Sequence, residues 1–217
     1  MISIKKNAEP RLLTAYRLKP GAVYDGPDFT PVKDAIRRNL LEEQGYVCAY
    51  CMQRIHDHPL KTKIEHWHSQ HSDLDYKMLL ACCDGAQGQP PAMQHCDTSK
   101  GHNLLKNNPA NLTDRVEEKI RYAHNGIVSS DDGLMQADLN TLNLNTPKLV
   151  RYRAGVCQAV YDSLSKDRNE RTEKEIMEQI VRWQSKNETH QLRPFCGVAL
   201  YVLRKRLRRA KVKPDLH

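Results

Sequence analysis

Two cysteines separated by two residues, in CAYC at 48–51, constrain the fold of this chain more than any other feature. A C-x-x-C turn brings two thiolates to neighbouring corners of a tetrahedron, an arrangement that suits Zn²⁺. The other two ligands are expected from CCDGAQGQPPAMQHC at 82–96, where Cys96 is one and either Cys82 or Cys83 is the other. The spacing therefore predicts a closed four-cysteine zinc site that stabilises the fold and leaves no open position for catalysis.

The bulk properties favour a folded cytoplasmic protein. Among the 217 residues, 39% are hydrophobic and 28% are charged, which is typical of a folded chain and not of a disordered one. The longest apolar run, VALYVL at 198–203, is too short for a membrane span, and MISIKKNAEP lacks the apolar core of a signal peptide. In the reducing cytoplasm, the odd number of seven cysteines favours metal binding over disulfides. Cys157 and Cys196 fall on apolar helix faces and are expected in the core.

Hydrophobic periodicity predicts an α+β fold that is mainly α. A helix is expected at 31–44, with Thr30 as its N-cap and Gly45 at its end. We divide the chain into an N-terminal segment and helix at 1–45, a metal-binding core at 46–107, and a C-terminal region at 108–217. The elements expected in that last region are a β-hairpin at 119–128 that turns at Asn125-Gly126, and helices at 146–166, at about 171–186 and after Pro194.

The stretch KIEHWHSQH at 63–71 predicts a second metal site. Glu65 and His66 are expected at the end of a strand, where a carboxylate can hold a hard divalent cation and an imidazole can activate water. A second ligand is expected from Asp97, which directly follows a zinc ligand. Lys100 lies one helical turn further on and is spaced to meet a phosphate.

Taken together, CAYC, IEHWH, DYKMLLACC and HCDTSKG resemble the HNH endonucleases with a ββα-metal centre. The resemblance is closest to the PtuB-type HNH proteins of Septu and retron-linked antiphage systems, which share the CDTxKG ending and a later LNLN segment, here at 142–145. The sharp motifs cover 46–101. The resemblance implies an HNH ββα-metal element, with its four-cysteine zinc site, embedded in a helical domain.

Roles for individual residues follow from that resemblance. It implies that His66 is the general base, that Glu65 and Asp97 bind a catalytic Mg²⁺ or Mn²⁺, and that Lys100 contacts the phosphate. It also implies that Cys83, and not Cys82, is the third zinc ligand. The complete set of implied zinc ligands is Cys48, Cys51, Cys83 and Cys96.

Met78 occupies the position where HNH proteins usually have the asparagine that orients the catalytic histidine. A methionine cannot make that hydrogen bond. His68, Gln70 or His71 is a possible replacement, and His68 could equally contact a phosphate or be a polar strand residue. His95 is expected at the surface.

The basic segment RKRLRRAKVK at 204–213 supplies most of the net charge of +8 and predicts a phosphate-rich or otherwise anionic partner. The candidate contact residues are Arg204, Lys205, Arg206, Arg208, Arg209, Lys211 and Lys213.

Nucleic acid is the first expected partner, with DNA as the favoured substrate and RNA or tRNA as the alternative. The resemblance adds a PtuA-type ATPase as a partner, and its retron-linked members add a retron reverse transcriptase with its RNA and DNA product. Two other hypotheses stay open at this point. Under them, the protein is either a zinc-stabilised nucleic-acid-binding module that does not cut, or a regulatory subunit that acts only inside a complex.

Overall fold

The computed structural model describes residues 1–67, 74–165 and 171–212, with the side chains of the last helix described as far as Arg209. In these ranges the helices are α1 (Arg11–Arg17), α2 (Thr30–Gln44), α3 (Cys96–Lys100), α4 (Val116–Lys119), α5 (Gly133–Thr141), α6 (Pro147–Leu164), α7 (Glu173–Gln184) and α8 (Cys196–Val212). The strands are β1 (Thr62–His66), β2 (Leu79–Cys83), β3 (Ile120–Tyr122) and β4 (Val128–Ser130). The fold is α+β and mainly helical, as the hydrophobic patterns predict.

The cysteine-bearing segment contains an antiparallel strand pair followed by a short helix. β1 and β2 pair from Thr62 opposite Cys83 to His66 opposite Leu79. Every residue of β2 is buried. α2 packs against both strands, and its Gln44 side chain donates to the Ala81 carbonyl at 2.8 Å and accepts from the Ala81 amide at 2.7 Å. Within the described residues, β2 has a neighbouring strand on one side only. Gln44 therefore satisfies backbone groups of β2 on the side where there is no strand.

The boundaries of α2 lie close to the predicted ones. The helix begins at Thr30, so Phe29 is the cap residue and the prediction of Thr30 as N-cap is wrong by one position. Pro31 lies in the first turn, where its missing amide hydrogen costs nothing. Gly45 ends the helix in the left-handed conformation, with a φ of 62°.

The predicted β-hairpin is present as β3 and β4 and is fastened to α6 by two side chains. Asn145, in the LNLN segment, accepts from the Val128 amide and donates to the Val128 carbonyl, both at 2.9 Å. The buried Arg153 of α6 donates to Asn145 Oδ1 at 3.0 Å and to the Gly126 carbonyl at 2.6 Å. These hydrogen bonds fix the hairpin turn over α6.

Three of the predicted helices are confirmed with small shifts at their ends. α6 begins at Pro147 with Thr146 as its cap residue, as predicted, and α7 begins at the capping box of Thr172 and Glu175. In and just before α8, the predicted apolar stripe is buried at Phe195, Val198, Ala199, Val202 and Leu203. The sequence patterns missed α1, α4 and α5.

The three segments proposed from the sequence share one hydrophobic core. That core includes Leu13 of α1, Leu80 of β2 and Leu203 of α8. Cys157 and Cys196 are buried in it, as expected from their helix faces. None of the helices in the described parts of the chain combines the length and apolar character needed to cross a membrane.

Gly126 allows a test of how closely the hairpin approaches α6. A Cβ at Gly126 would lie 2.1 Å from the Val150 carbonyl oxygen, and its φ is +85°. Gly88 has a similar φ of +86° with no atom near the position of its Cβ. Gly126→Ala should therefore combine backbone strain of about 1–3 kcal/mol with a steric clash, whereas Gly88→Ala should show the strain alone. Equal losses of unfolding free energy in urea for the two variants would contradict this close approach.

Candidate functional site

Four buried cysteines, Cys48, Cys51, Cys83 and Cys96, lie close enough together to hold one metal ion. Their Sγ atoms all lie within 4.8 Å of one another. The Sγ atoms of Cys48 and Cys96 are 3.8 Å apart, and those of Cys51 and Cys83 are 3.9 Å apart. A tetrahedral Zn²⁺ with Zn–S bonds of about 2.3 Å requires sulfur separations of about 3.8 Å. The cluster therefore fits a structural metal such as zinc.

Local backbone geometry explains why these thiols converge. The CAYC turn closes on itself, because the Met52 amide donates to the Cys48 carbonyl at 3.0 Å and Met52 adopts a φ of 64°. Cys83 ends β2, and Cys96 begins α3. The Cys96 amide donates to the carbonyl of Leu142 at 2.8 Å, which ties the start of α3 to the LNLN segment.

The alternation of side chains along β2 decides which of the two adjacent cysteines joins the cluster. Successive side chains of a strand point to opposite faces, so Cys82 and Cys83 cannot both face the same cluster. Cys83 joins the other three thiols, while Cys82 lies opposite Lys63 in the register and is fully buried. The preference for Cys83 is confirmed.

His95 is placed differently from its prediction. It is 2% exposed, and its Nδ1 lies 3.2 Å from the Cys96 sulfur and 3.9 Å from that of Cys83. The expectation of a surface histidine is therefore wrong, because the turn at Asp84-Gly85 brings the chain back beside β2. The His95 amide donates to the Gly85 carbonyl at 3.0 Å in this turn. An imidazole next to a cysteine thiolate can donate an N–H···S hydrogen bond and offset its negative charge.

A second group of polar residues lies between β1 and α3. Glu65 of β1 is 4% exposed, and its Oε1 lies 2.7 Å from Nζ of Lys100, which is 3% exposed. The Tyr50 hydroxyl, in the CAYC turn, donates to the same oxygen at 3.1 Å. On the neighbouring turn, Asp97 Oδ2 lies 3.1 Å from Nζ of Lys63.

The two carboxyl groups of this site interact directly. The pKa of Glu65 is raised to about 8, mainly by burial. A hydrogen bond with Asp97 and the negative charge of Asp97 also raise this pKa, whereas Lys100 lowers it. Burial also acts to raise the pKa of Asp97, but the hydrogen bond from Glu65 and the charge of Lys63 outweigh it, so the pKa of Asp97 is lowered. Lys100 lies within ion-pair distance of Glu65, but the effect of burial on the pKa of this carboxyl is larger than the opposing effect of the lysine. Of the two carboxyls, Asp97 is therefore the more acidic and Glu65 the less acidic.

Lys100 occupies a buried position, whereas the resemblance implies a contact with a phosphate. Its ammonium donates to the His66 carbonyl at 3.3 Å in addition to its contact with Glu65. In this structure Lys100 is a partner of the carboxyl pair, and its contact with a phosphate stays a prediction.

His66 and Glu65 have different neighbours. The His66 ring is half-buried and packs edge-on against Tyr24, with ring centroids 4.4 Å apart and an interplanar angle of 83°. Tyr24 lies in the connection between α1 and α2 and also packs against Phe29, at 4.7 Å. Because adjacent strand residues point to opposite faces, Glu65 faces α3 while His66 faces this aromatic group. The two side chains therefore leave β1 on opposite faces, and the general-base role that the resemblance implies for His66 requires its ring to reach round the end of the strand towards the carboxyl pair.

Met78 lies opposite Trp67, one position beyond the pair of His66 and Leu79. The amide of Trp67, the next residue after His66, donates to the Met78 carbonyl at 2.9 Å. Met78 is half-buried and ends a short 3₁₀ turn before β2. His68, Gln70 and His71 lie outside the described residues, so their proposed orienting roles stay predictions.

The basic residues of the C-terminal segment lie on the last turns of α8. Arg204 and Arg206 are half-buried, whereas Lys205, Arg208 and Arg209 are exposed. Lys211 belongs to the helix, but its side chain lies outside the described part of the chain, as does the whole of Lys213.

Sequence reasoning missed several residues of the site. Lys63 could have been found, because it precedes Glu65 by two positions and so shares its strand face. Tyr50 lies inside CAYC, but nothing in that motif indicates its bond to Glu65. Tyr24 is more than 40 positions from His66 along the chain, and no local pattern connects them.

No protein-family model matches this chain, and a search of curated proteins gives no significant match.

The two adjacent cysteines of β2 provide a matched test of the zinc centre. Cys83→Ala should lose the bound zinc and most of the cooperative unfolding transition, since structural zinc sites contribute folding free energy directly. Cys82→Ala removes an equally buried thiol from outside the cluster and should retain about one zinc per chain. Elemental analysis and circular dichroism measure both effects. Full zinc loading in Cys83→Ala, or its loss in Cys82→Ala, would refute the ligand assignment.

Proposed function

We propose that this protein is a metal-dependent endonuclease of the HNH type that hydrolyses phosphodiester bonds of nucleic acid. The observation that carries the proposal is the meeting of two carboxyl groups, Glu65 from β1 and Asp97 from α3, next to a four-cysteine cluster. A strand pair followed by a short helix places them there, which is the element order that the HNH resemblance implies.

The donor set of the second site fits a hard divalent cation. Mg²⁺ and Mn²⁺ prefer oxygen ligands, and Glu65 and Asp97 offer carboxylate oxygens in adjoining positions. Bound there, the cation would neutralise charge on the phosphate and on the departing oxygen. Lys63 and Lys100 now balance the two carboxyls, with N–O distances of 3.1 and 2.7 Å. Both lysines have flexible stems, so either ammonium can turn towards a phosphate when a cation binds the carboxyls.

His66 is the proposed general base. Its imidazole would take a proton from the attacking water, a role that suits a side chain whose ordinary pKa lies near neutrality. Orientation of the ring is provided by the edge-on contact with Tyr24 at 4.4 Å and by the antiparallel pairing of His66 with Leu79. Packing against Tyr24 thus stands in for the hydrogen bond that an asparagine at position 78 would provide.

The four cysteines have a structural role in this proposal. A closed four-sulfur site offers no coordination position to water, so zinc would hold β2, the CAYC turn and α3 together without taking part in the reaction.

A second candidate function is favoured by one observation. Lys63 and Lys100 already balance Asp97 and Glu65 inside the fold, so the charges close into a network that needs no cation. A protein built on such a network would be a zinc-stabilised nucleic-acid-binding or regulatory subunit that does not cut. Metal-dependent cleavage distinguishes the two functions.

The wider setting is proposed from the motif resemblance. It points to the nuclease effector of a cytoplasmic antiphage complex that contains a PtuA-type ATPase, with a retron reverse transcriptase and its RNA and DNA product as further components. Co-purification with an ATPase encoded beside the gene would support this setting.

Cleavage assays test the proposed activity. Purified protein with Mn²⁺ or Mg²⁺ should cut at least one of plasmid DNA, single-stranded DNA and tRNA. His66→Ala should lower the rate by about 100- to 10,000-fold, which is the usual contribution of a positioned general base. Asp97→Asn should lower it comparably, and both variants should keep their zinc and their circular dichroism spectra.

His102→Ala is the matched control, because His102 follows the same short helix and is exposed. It should cut as the wild type does. Cleavage by His66→Ala at the wild-type rate, or no cleavage of any substrate by the zinc-loaded wild type, would favour the non-cutting function.

A further inference from the structure

A groove of about 730 Å³ lies between α8 on one side and α4 and β3 on the other, and none of its lining residues belongs to the carboxyl pair or the cysteine cluster. Its floor is one face of α8, formed by Gly197, Leu200, Tyr201, Arg204 and Arg208. These residues stand at positions i, i+3, i+4, i+7 and i+11 of the helix, so they form a single stripe along it. The stripe is distinct from the buried one that contains Val198 and Val202. The volume is within the range of small-molecule binding sites.

The acidic groups on the opposite wall are held by donors outside α8. Glu117 Oε2 accepts from the Ser3 amide at 2.9 Å and from the Ser3 hydroxyl. Glu118 Oε1 accepts from Arg115 at 2.6 Å. Neither carboxylate forms an ion pair with an arginine of α8 among the described residues.

The two arginines of the floor have no such partner. Arg121, on the wall, pairs with Asp131 at 2.5 Å. By contrast, no carboxylate in the described ranges forms an ion pair with Arg204 or Arg208. Arg204 is half-buried, so its guanidinium is partly shielded from water within the groove. Two guanidinium groups one helical turn apart form a pair of donors suited to phosphoryl oxygens.

Tyr201 adds an aromatic surface between the arginines and the wall. Its ring is half-buried and packs edge-on against Tyr122, with centroids 5.7 Å apart. A nucleobase can stack on such a ring, which inorganic phosphate cannot do.

We propose that this groove is a nucleotide-binding site in which Arg204 and Arg208 hold a phosphoryl group. The ligand is either one nucleotide unit of a single strand or a free nucleotide, since both have the same chemistry. Binding at this site is separate from cleavage, so the proposal stands or falls independently of the nuclease activity.

A pair of double variants tests the proposal against a general attraction to the basic helix. Arg204→Gln/Arg208→Gln removes the two charges of the groove. Lys174→Gln/Arg209→Gln removes two exposed charges, one on α7 and one on the last described turn of α8, and neither residue lines the groove. Binding of a fluorescein-labelled oligothymidine is measured by fluorescence anisotropy on the full chain, without added divalent metal or chelator.

The groove variant should bind about 10- to 100-fold more weakly than the wild type. Its log–log salt slope should fall by about 1.4, because each contact with a single-strand phosphate contributes about 0.7. The control variant should lose less than about threefold, as expected for exposed charges that make no specific contact. Equal weakening in the two variants, or none in either, would overturn the proposal. Circular dichroism spectra matching the wild type show that both variants are folded.

Competition identifies the source of the phosphoryl group. Displacement of the oligonucleotide by ATP assigns the groove to a free nucleotide, and failure of ATP to displace it assigns the groove to a strand. Displacement by inorganic phosphate at the same concentration as by ATP would overturn the proposed stacking on Tyr201 and with it the nucleotide site.

Discussion

The convergence of four cysteine sulfurs on one point is the interaction on which the rest of the site depends. Its ligands come from the CAYC turn, the end of β2 and the start of α3, elements of only five residues or fewer. Strand pairs and helices this short are unstable alone in water. A metal bound to the cysteines would join these three short elements into one rigid unit. The hydrogen bond from the Cys96 amide to the Leu142 carbonyl connects that unit to the helical part of the chain.

The position of the carboxyl pair follows from this unit. Asp97 directly follows the ligand Cys96, and Glu65 lies two positions along β1 from Lys63, which faces Cys82. Fixing α3 against β2 therefore also fixes Asp97 against Glu65. Burial makes it costly to ionise both carboxyls, and Lys63 and Lys100 offset part of that cost. Binding of a cation would take over this role and free the ammonium groups for a phosphate.

Sequence patterns predicted the parts of the structure that depend on local chemistry. Gly45, Pro147 and Asn125-Gly126 mark ends and turns because their backbone preferences act within a few residues, and CAYC marks the metal turn for the same reason. What could not be predicted depends on contacts between distant segments. His95 is buried because a turn at Gly85 folds it against the cysteines, and Tyr24 reaches His66 across the first two helices. The placement of Lys100 against Glu65 likewise needs the register of α3 on β1.

The central claim is that the cysteine unit holds Glu65 and Asp97 as a binding site for a divalent cation. Isothermal titration of Mn²⁺ into zinc-loaded protein tests it most directly, with Asp97→Asn as the comparison. The account predicts one Mn²⁺ site in the wild type and its loss in Asp97→Asn, with the zinc content unchanged in both. Equal Mn²⁺ binding by the variant, or none by the wild type, would contradict it.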